Sequence, residues 1–134
     1  EAAVGCAQLE RLDEFLEKKR SISFRYQEAF AAFKILAPIP VPAGVTSAYW
    51  FSGVLLPDPE AAGRLLQLLV QSEIQARSFW KPMHLQPPYK DSPRTHMPIS
   101  ESIWNRLVTL PCSTGLTEDE QQTVIDAVIE FATC

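Results

Sequence analysis

The strongest constraint on the fold is a long run of helical periodicity at the amino end of the sequence. Apolar residues recur at helical spacing from residue 2 to residue 33, and no glycine or proline interrupts the run after Gly5. The run stops before the proline-rich residues 38–42. We therefore predict one long amphipathic helix, within a connecting segment 1–37, followed by an extended connector.

The predicted helix is longer than a domain of this size is wide. At about 1.5 Å per residue its length is roughly 48 Å, whereas a compact chain of 134 residues is only roughly 36 Å across. We therefore predict that residues 1–11 project from the domain toward something outside it. The alternative is a break near Ser21 and Ser23 that lets the helix fold back.

Composition narrows the class of protein. Apolar residues make up 46% and charged residues 21% of the sequence, as in an ordinary soluble globular domain. The net charge of -4 argues against nucleic-acid binding, because no basic surface is available for the phosphates. No apolar run approaches the ~20 residues that span a bilayer, so no membrane segment is predicted.

The cysteines indicate a reducing environment. Cys6, Cys112 and Cys134 are odd in number and far apart, so they form neither a disulfide framework nor a pair with metal-ligand spacing. No secretory leader pattern opens the sequence. We predict a cytoplasmic protein.

Residues 45–134 carry the signals of short strands that alternate with helices. Residues 46–56 are rich in aromatic and β-branched types and nearly all apolar, which predicts a central strand. Asp58 is a good N-cap for a helix over 59–71. A short strand is predicted over 73–77.

The carboxyl-terminal part continues this alternation. After a polar loop over 90–98, Ser100 is expected to cap a short helix, and residues 107–110 form an apolar strand. Thr117 and Glu120 have the spacing of a capping box for the last helix. The element order predicts a two-layer α+β fold, with a small mixed or antiparallel sheet and helices mainly on one of its faces.

The candidate binding residues lie in one stiff loop, residues 77–89. Its prolines exclude a regular helix and a central strand, and binding groups concentrate on loops that a scaffold holds in place. Arg77 is suited to a carboxylate or a phosphate, which its guanidinium could bind bidentately. For Arg77 the alternative is a surface ion pair, and for the aromatic residues it is a role in capping the core.

The sequence gives weaker evidence for other kinds of functional site. His84 and Cys112 could form an imidazole–thiolate pair, but no third group orients them. A metal site would need more ligands near His84 than His96 alone, so none is predicted. The glycines are scattered and form no phosphate-binding loop. The chain therefore has recognition groups but no self-sufficient catalytic set, which favours a module that completes another site.

Four stretches together resemble the carboxyl-terminal small domain of the DegT/DnrJ/StrS family of pyridoxal-phosphate-dependent sugar aminotransferases. Residues 1–12 are similar to its long connecting helix, and 47–50 to its first small-domain strand. Residues 77–84 are similar to its Arg–Pro–x–x–x–Pro–x–His loop, and 110–118 to its terminal Leu–Pro…Gly–Leu–Thr signature. Ser78 departs from the pattern, because it stands where the family usually has proline.

The resemblance implies a fold-type-I enzyme that moves an amino group, usually from glutamate, to a keto-sugar nucleotide. It also implies that the large domain, with the Schiff-base lysine and the pyridoxal phosphate, lies outside residues 1–134. No residue here is then catalytic or cofactor-binding, and the chain alone is inactive. A homodimer and a role in surface-polysaccharide or amino-sugar synthesis follow from the same likeness.

By position in the resembling loop, the substrate-binding residues are Arg77, Trp80, His84 and Tyr89. Arg77 is expected at an anionic group, His84 at a polar substrate group, and Trp80 and Tyr89 at the walls of the pocket. The competing hypothesis is a stand-alone α+β ligand-binding or protein-interaction module that resembles ferredoxin-like regulatory domains.

Overall fold

A computed structural model describes residues 2–133, so the predictions that concern Glu1 and Cys134 lie outside the described residues. Within 2–133 the chain forms an α+β domain with five α-helices, two 3-10 turns and a four-stranded sheet. The helices are α1 (Ala2–Leu9), α2 (Leu12–Phe30), α3 (Pro59–Gln71), α4 (Pro98–Ile103) and α5 (Glu118–Thr133). The strands are β1 (Ala37–Pro38), β2 (Ser52–Leu55), β3 (Arg77–Ser78) and β4 (Leu107–Leu110).

The amino-terminal helix is interrupted, so the prediction of one continuous helix was wrong. A turn at Glu10 and Arg11 separates α1 from α2. Arg11 leaves the helical region (φ -112°, ψ 12°), and its guanidinium binds the Glu14 carboxylate at 2.9 and 2.7 Å. The alternative break was also misplaced, because α2 runs through Ser21 and Ser23 without interruption.

The sheet is antiparallel throughout, with strand order β1-β2-β4-β3, which confirms the predicted fold class. The central strand β2 is shorter than predicted, because Tyr49 adopts a left-handed conformation (φ 46°) and the chain turns before Ser52. The strand predicted over 73–77 is displaced to β3, after a left-handed Glu73 (φ 59°). The start of the proline-rich connector forms β1, which the sequence did not predict.

One face of the sheet packs against the helices. Val54 of β2 pairs with Val108 of β4, and both are 1% exposed. Gly53 precedes Val54 in β2, and a Cβ atom there would stand 2.4 Å from the Val108 carbonyl oxygen. Only glycine therefore permits this close approach of β2 to β4. The helices contribute the rest of the core, mainly Ile22, Tyr26, Phe30, Leu65, Leu69, Val124, Ile125 and Val128.

Helix starts largely follow the predicted capping chemistry. The Asp58 carboxylate accepts from the Ala61 amide at 2.7 Å. Thr117 and Glu120 form the reciprocal capping box, with bonds of 2.8 Å and 3.2 Å between each amide and the other side chain. The cap predicted at Ser100 was wrong, because α4 begins two positions earlier with a proline in its first turn.

Candidate functional site

Four aromatic side chains form a connected group, here called the aromatic face: Trp50, Phe51, Phe79 and Trp80. The Phe51 ring is central, with centroids 6.1 Å from Trp50, 6.2 Å from Phe79 and 5.0 Å from Trp80. The two tryptophans are 77% and 67% exposed. Contiguous exposed aromatic surface of this kind marks a binding or interaction site.

The register of the sheet explains why these rings meet. Side chains alternate between the two faces of a strand, so Phe51 and Gly53 share the face opposite the buried Val54. Gly53 pairs with Thr109, which pairs with Arg77 on the far side of β4. Phe51 and Phe79 therefore lie on the same face on either side of β4, where their rings meet edge to face.

Arg77 lies on that same face by the same alternation. It is exposed, and its backbone carbonyl accepts a 3.0 Å bond from the Thr109 hydroxyl. Its guanidinium makes no ion pair with any residue in the described part of the chain. The alternative of a surface ion pair is therefore not supported, and a cation stands beside the aromatic face.

His84 is placed differently from the other candidate residues. It lies in the 3-10 turn Met83–Leu85, is only 8% exposed, and its Nε2 is 2.8 Å from Glu101 Oε1 of α4. Sequence reasoning missed Glu101, because a carboxylate 17 positions away carries no local signal. Cys112 does not meet His84; its thiol instead donates to the Trp50 carbonyl at 3.4 Å.

Tyr89 ends the second 3-10 turn, Pro87–Tyr89, and is 42% exposed. Its amide donates to the Gln86 carbonyl at 2.9 Å. Its ring makes no aromatic contact with the residues that the structure describes. The structure thus places Arg77 and Trp80 on one face of the sheet, buries the side chain of His84, and leaves the Tyr89 ring outside the described ring contacts of the aromatic face.

A cleft of about 520 Å³ adjoins the aromatic face, between α2, residues 38–45 and the start of β2. None of its described lining residues is charged. The Ser52 hydroxyl is buried there and has no hydrogen-bond partner within residues 2–133. The volume and apolar lining are typical of small-molecule sites.

The amine of Lys19 is already bound by protein groups. Lys19 Nζ donates to the carbonyls of Trp50 at 3.0 Å and Cys112 at 2.6 Å, and it lies 3.6 Å from the Cys112 sulfur. It therefore fastens α2 to the segments that precede β2 and follow β4.

Among the described residues, every helix is too short or too polar to span a bilayer.

The sequence matches the DegT/DnrJ/EryC1/StrS aminotransferase family over residues 1–129. The chain therefore belongs to this family, which is pyridoxal-phosphate-dependent. The site just described lies within the residues that the family model matches.

Similarity to individual proteins supports the family assignment. The chain is 34% identical to EpsN of Bacillus subtilis over 97% of this chain and 34% of that protein. It is 30% identical to the GDP-perosamine synthase of Vibrio cholerae over 99% of this chain and 37% of that enzyme. The crystal structure of the aminotransferase TlmJ from Streptoalloteichus hindustanus superposes with a TM-score of 0.86 at 28% identity, over 98% of this chain and 36% of that one. The chain thus spans about a third of the length of these relatives.

Proposed function

We propose that residues 1–134 form the carboxyl-terminal small domain of a sugar-nucleotide aminotransferase. In this proposal residues 1–37 connect to a large catalytic domain and residues 45–134 are the α+β core. The observation that carries it is the family match over residues 1–129, combined with a span of only a third of the relatives' length. The complete enzyme would act as a homodimer.

The reaction we propose is transfer of an amino group from an amino acid, glutamate, to a keto-sugar nucleotide. Support comes from the names of relatives, which include GDP-perosamine synthases and a dTDP-dehydro-trideoxyglucose 4-aminotransferase. A role in surface-polysaccharide or amino-sugar synthesis, in the cytoplasm, completes the proposal. The described cysteines, Cys6 and Cys112, are free thiols, as a reducing compartment allows.

Pyridoxal phosphate would supply the electron sink for amino transfer, but the residues of this cleft do not fit it. Such a site needs an available lysine and a carboxylate partner for the ring nitrogen. The described cleft lining contains neither, and the amine of Lys19 is bound to two carbonyls. We therefore assign the cofactor to the large domain and derive no catalytic step within this chain.

The role we assign to this chain is substrate recognition. An exposed guanidinium beside aromatic rings suits a sugar nucleotide, because arginine binds phosphate bidentately and aromatic rings stack on flat apolar surfaces. Arg77 and Trp80 are the principal groups. Tyr89, which does not line the described cleft, is assigned to the outer edge of the substrate pocket, and His84 to the support of the same loop.

The test uses the complete enzyme encoded by the reading frame that contains these residues. Glutamate and candidate keto-sugar nucleotides are supplied, and 2-oxoglutarate release is measured. We expect turnover, with a raised KM for the sugar nucleotide in Arg77→Ala and Trp80→Ala. Glu14→Ala, in an exposed ion pair distant in sequence from the loop, is the control and should match the wild type.

Two results would overturn the proposal. The first is a complete reading frame that lacks an upstream Schiff-base lysine and binds no pyridoxal phosphate by absorbance. The second is an active enzyme whose KM and kcat are unchanged in both Arg77→Ala and Trp80→Ala. The second result would leave the family activity intact and would remove only the recognition role of this domain.

A further inference from the structure

We propose that His84 and Glu101 are positioning residues that hold Trp80 in place for substrate recognition; this inference rests on the proposed function. His84 is the one buried residue in the described loop 79–89. Its Nε2 lies 2.8 Å from Glu101 Oε1. A buried imidazole needs a hydrogen-bond partner, and this carboxylate provides one. Nε2 then carries the proton that is donated to the carboxylate.

Apart from the ring contacts of Phe79 and Trp80 with Phe51, few contacts hold the loop to the rest of the domain. At its start the Phe79 amide donates to the Leu107 carbonyl at 3.0 Å. Further along, Lys81 Nζ stands 5.8 Å from the centroid of the Trp104 ring, an exposed and weak contact. Gln86 Nε2 donates to the Lys81 carbonyl at 3.0 Å, which only ties the loop to itself. The bond from His84 is therefore the one side-chain hydrogen bond that joins the described loop 79–89 to another element.

The partner of His84 is itself anchored to the sheet. Glu101 lies in α4, next to Ser102, whose carbonyl accepts a 2.7 Å bond from Arg106 Nε. The same guanidinium donates to the Pro57 carbonyl at 3.0 Å, at the exit of β2. The support thus runs from the central strand through Arg106 and α4 to the imidazole, and from there to the loop that carries Trp80.

The position of His84 favours a supporting role over direct contact with the substrate. With 8% of its surface exposed and Nε2 occupied, His84 has little access to a ligand, whereas Trp80 is 67% exposed. A recognition group on a loop needs support from residues that do not themselves touch the ligand, since small displacements weaken binding strongly. The pair would therefore act through Trp80.

The test is a double-mutant cycle in the complete enzyme. We expect Glu101→Ala to raise the KM for the sugar nucleotide roughly tenfold with kcat nearly unchanged, which is the pattern for loss of uniform binding. Glu101→Gln keeps a hydrogen-bond acceptor and should restore most of the affinity. In the Trp80→Ala background, Glu101→Ala should add little, because its effect passes through that ring. Glu14→Ala is the matched carboxylate control.

Failure of this inference can be distinguished from failure of the proposed function. If Trp80→Ala raises KM but Glu101→Ala does not, the positioning role is wrong and the recognition surface stands. If Trp80→Ala changes nothing, the recognition surface itself is wrong. Independently of activity, hydrogen exchange of amides 79–86 should quicken in Glu101→Ala and not in Glu14→Ala. Equal exchange in the two variants would overturn the positioning role.

Discussion

The two helices at the amino end differ in composition and in surroundings: α1 has no charged side chain, whereas α2 carries charged side chains along most of its length. In α1 no residue is buried, and Val4 and Leu9 are 65% and 69% exposed. In α2 the carboxyl-terminal half buries Ile22, Tyr26 and Phe30 at 2–4% exposure. Helices depend on tertiary packing more than on propensity. The comparison shows that α1 has the apolar surface of a packed helix and no described residue to pack against.

Contacts with α5 account for the difference. Arg25 donates to the Glu118 carbonyl at 3.0 Å and to the Gln122 side chain at 2.8 Å. Gln121, which is buried, donates to the Ile22 carbonyl at 2.8 Å. These bonds all reach the second half of α2, and the bonds of Lys19 to the Trp50 and Cys112 carbonyls hold its middle, whereas α1 buries no residue.

The largest expected effect is a loss of folding stability when the buried second half of α2 is changed. Phe30→Ala removes a ring that is 4% exposed and stacks 5.8 Å from Tyr26. We expect the free energy of unfolding to fall by about 3–5 kcal/mol. Urea denaturation measures this, with Val4→Ala as the control, which should change the free energy by less than about 0.5 kcal/mol. Comparable losses in the two variants would contradict the contrast between α1 and α2.

The next largest effect is a fall in folding stability at alkaline pH. Burial raises the pKa of Tyr26 well above its usual value, with a further contribution from nearby Cys112, and its hydroxyl donates to the Pro111 carbonyl at 2.9 Å. The folded state therefore keeps this proton, while the unfolded state releases it above about pH 10. Stability should be fully present below that pH and should fall as the pH rises through it.

Tyr26→Phe tests this prediction. The variant lacks the ionisable hydroxyl. Between about pH 9 and 11 it should therefore lose less stability than the wild type. At pH 7 the same variant should be less stable by about 1 kcal/mol, from the lost hydrogen bond. Parallel pH profiles for the two proteins would show that Tyr26 does not contribute.

A smaller effect is expected at the start of α5. Thr117→Ala removes the hydroxyl that accepts from the Glu120 amide at 3.2 Å, and we expect a loss of about 1 kcal/mol. Two hydrogen bonds from Thr117 lower the pKa of Glu120: the one from the backbone amide has the larger effect, and the one from the hydroxyl the smaller. The stabilisation that depends on the ionised Glu120 carboxylate is a separate effect, which is present above the unfolded pKa of about 4.3 and is lost as the pH falls. Glu120→Gln should flatten the acid limb in thermal melts, and an unchanged limb would exclude the capping box as its source.

The smallest effect is expected in α1. Leu9→Ser should leave the unfolding free energy of the 134-residue chain within about 0.5 kcal/mol of the wild type. In the complete enzyme the same substitution should cost more, because the proposed large domain would cover this surface. Melting temperatures of both proteins decide the matter: equal shifts in the two would mean that α1 is exposed in the enzyme as well.

Much of the fold could be predicted from local chemistry. The cap at Asp58, the capping box at Thr117 and the strand 107–110 are set by neighbouring residues, and all three are confirmed. The break at Arg11 could not be predicted, because it lies inside an unbroken periodic pattern. The early end of β2 depends on the left-handed Tyr49, a residue type that gives no such signal.

The site was predictable in part. Arg77 and Trp80 stood out because a proline-rich loop must place polar and aromatic side chains near the surface, and both are exposed. Phe51 and Glu101 were missed, since their roles depend on strand register and on a contact 17 positions apart. Residue type alone also could not show that His84 is buried, because imidazoles occur both in cores and at ligands.

The two outer strands of the sheet have a consequence for self-association. Each is only two residues long, and β1 ends in Pro38, which has no amide hydrogen to offer. A second molecule therefore finds almost no free backbone ladder to extend, so growth into cross-β fibrils is disfavoured at both borders. Crowded solutions of this protein should instead cluster reversibly through indole and phenyl rings, and mild detergent should disperse them without unfolding.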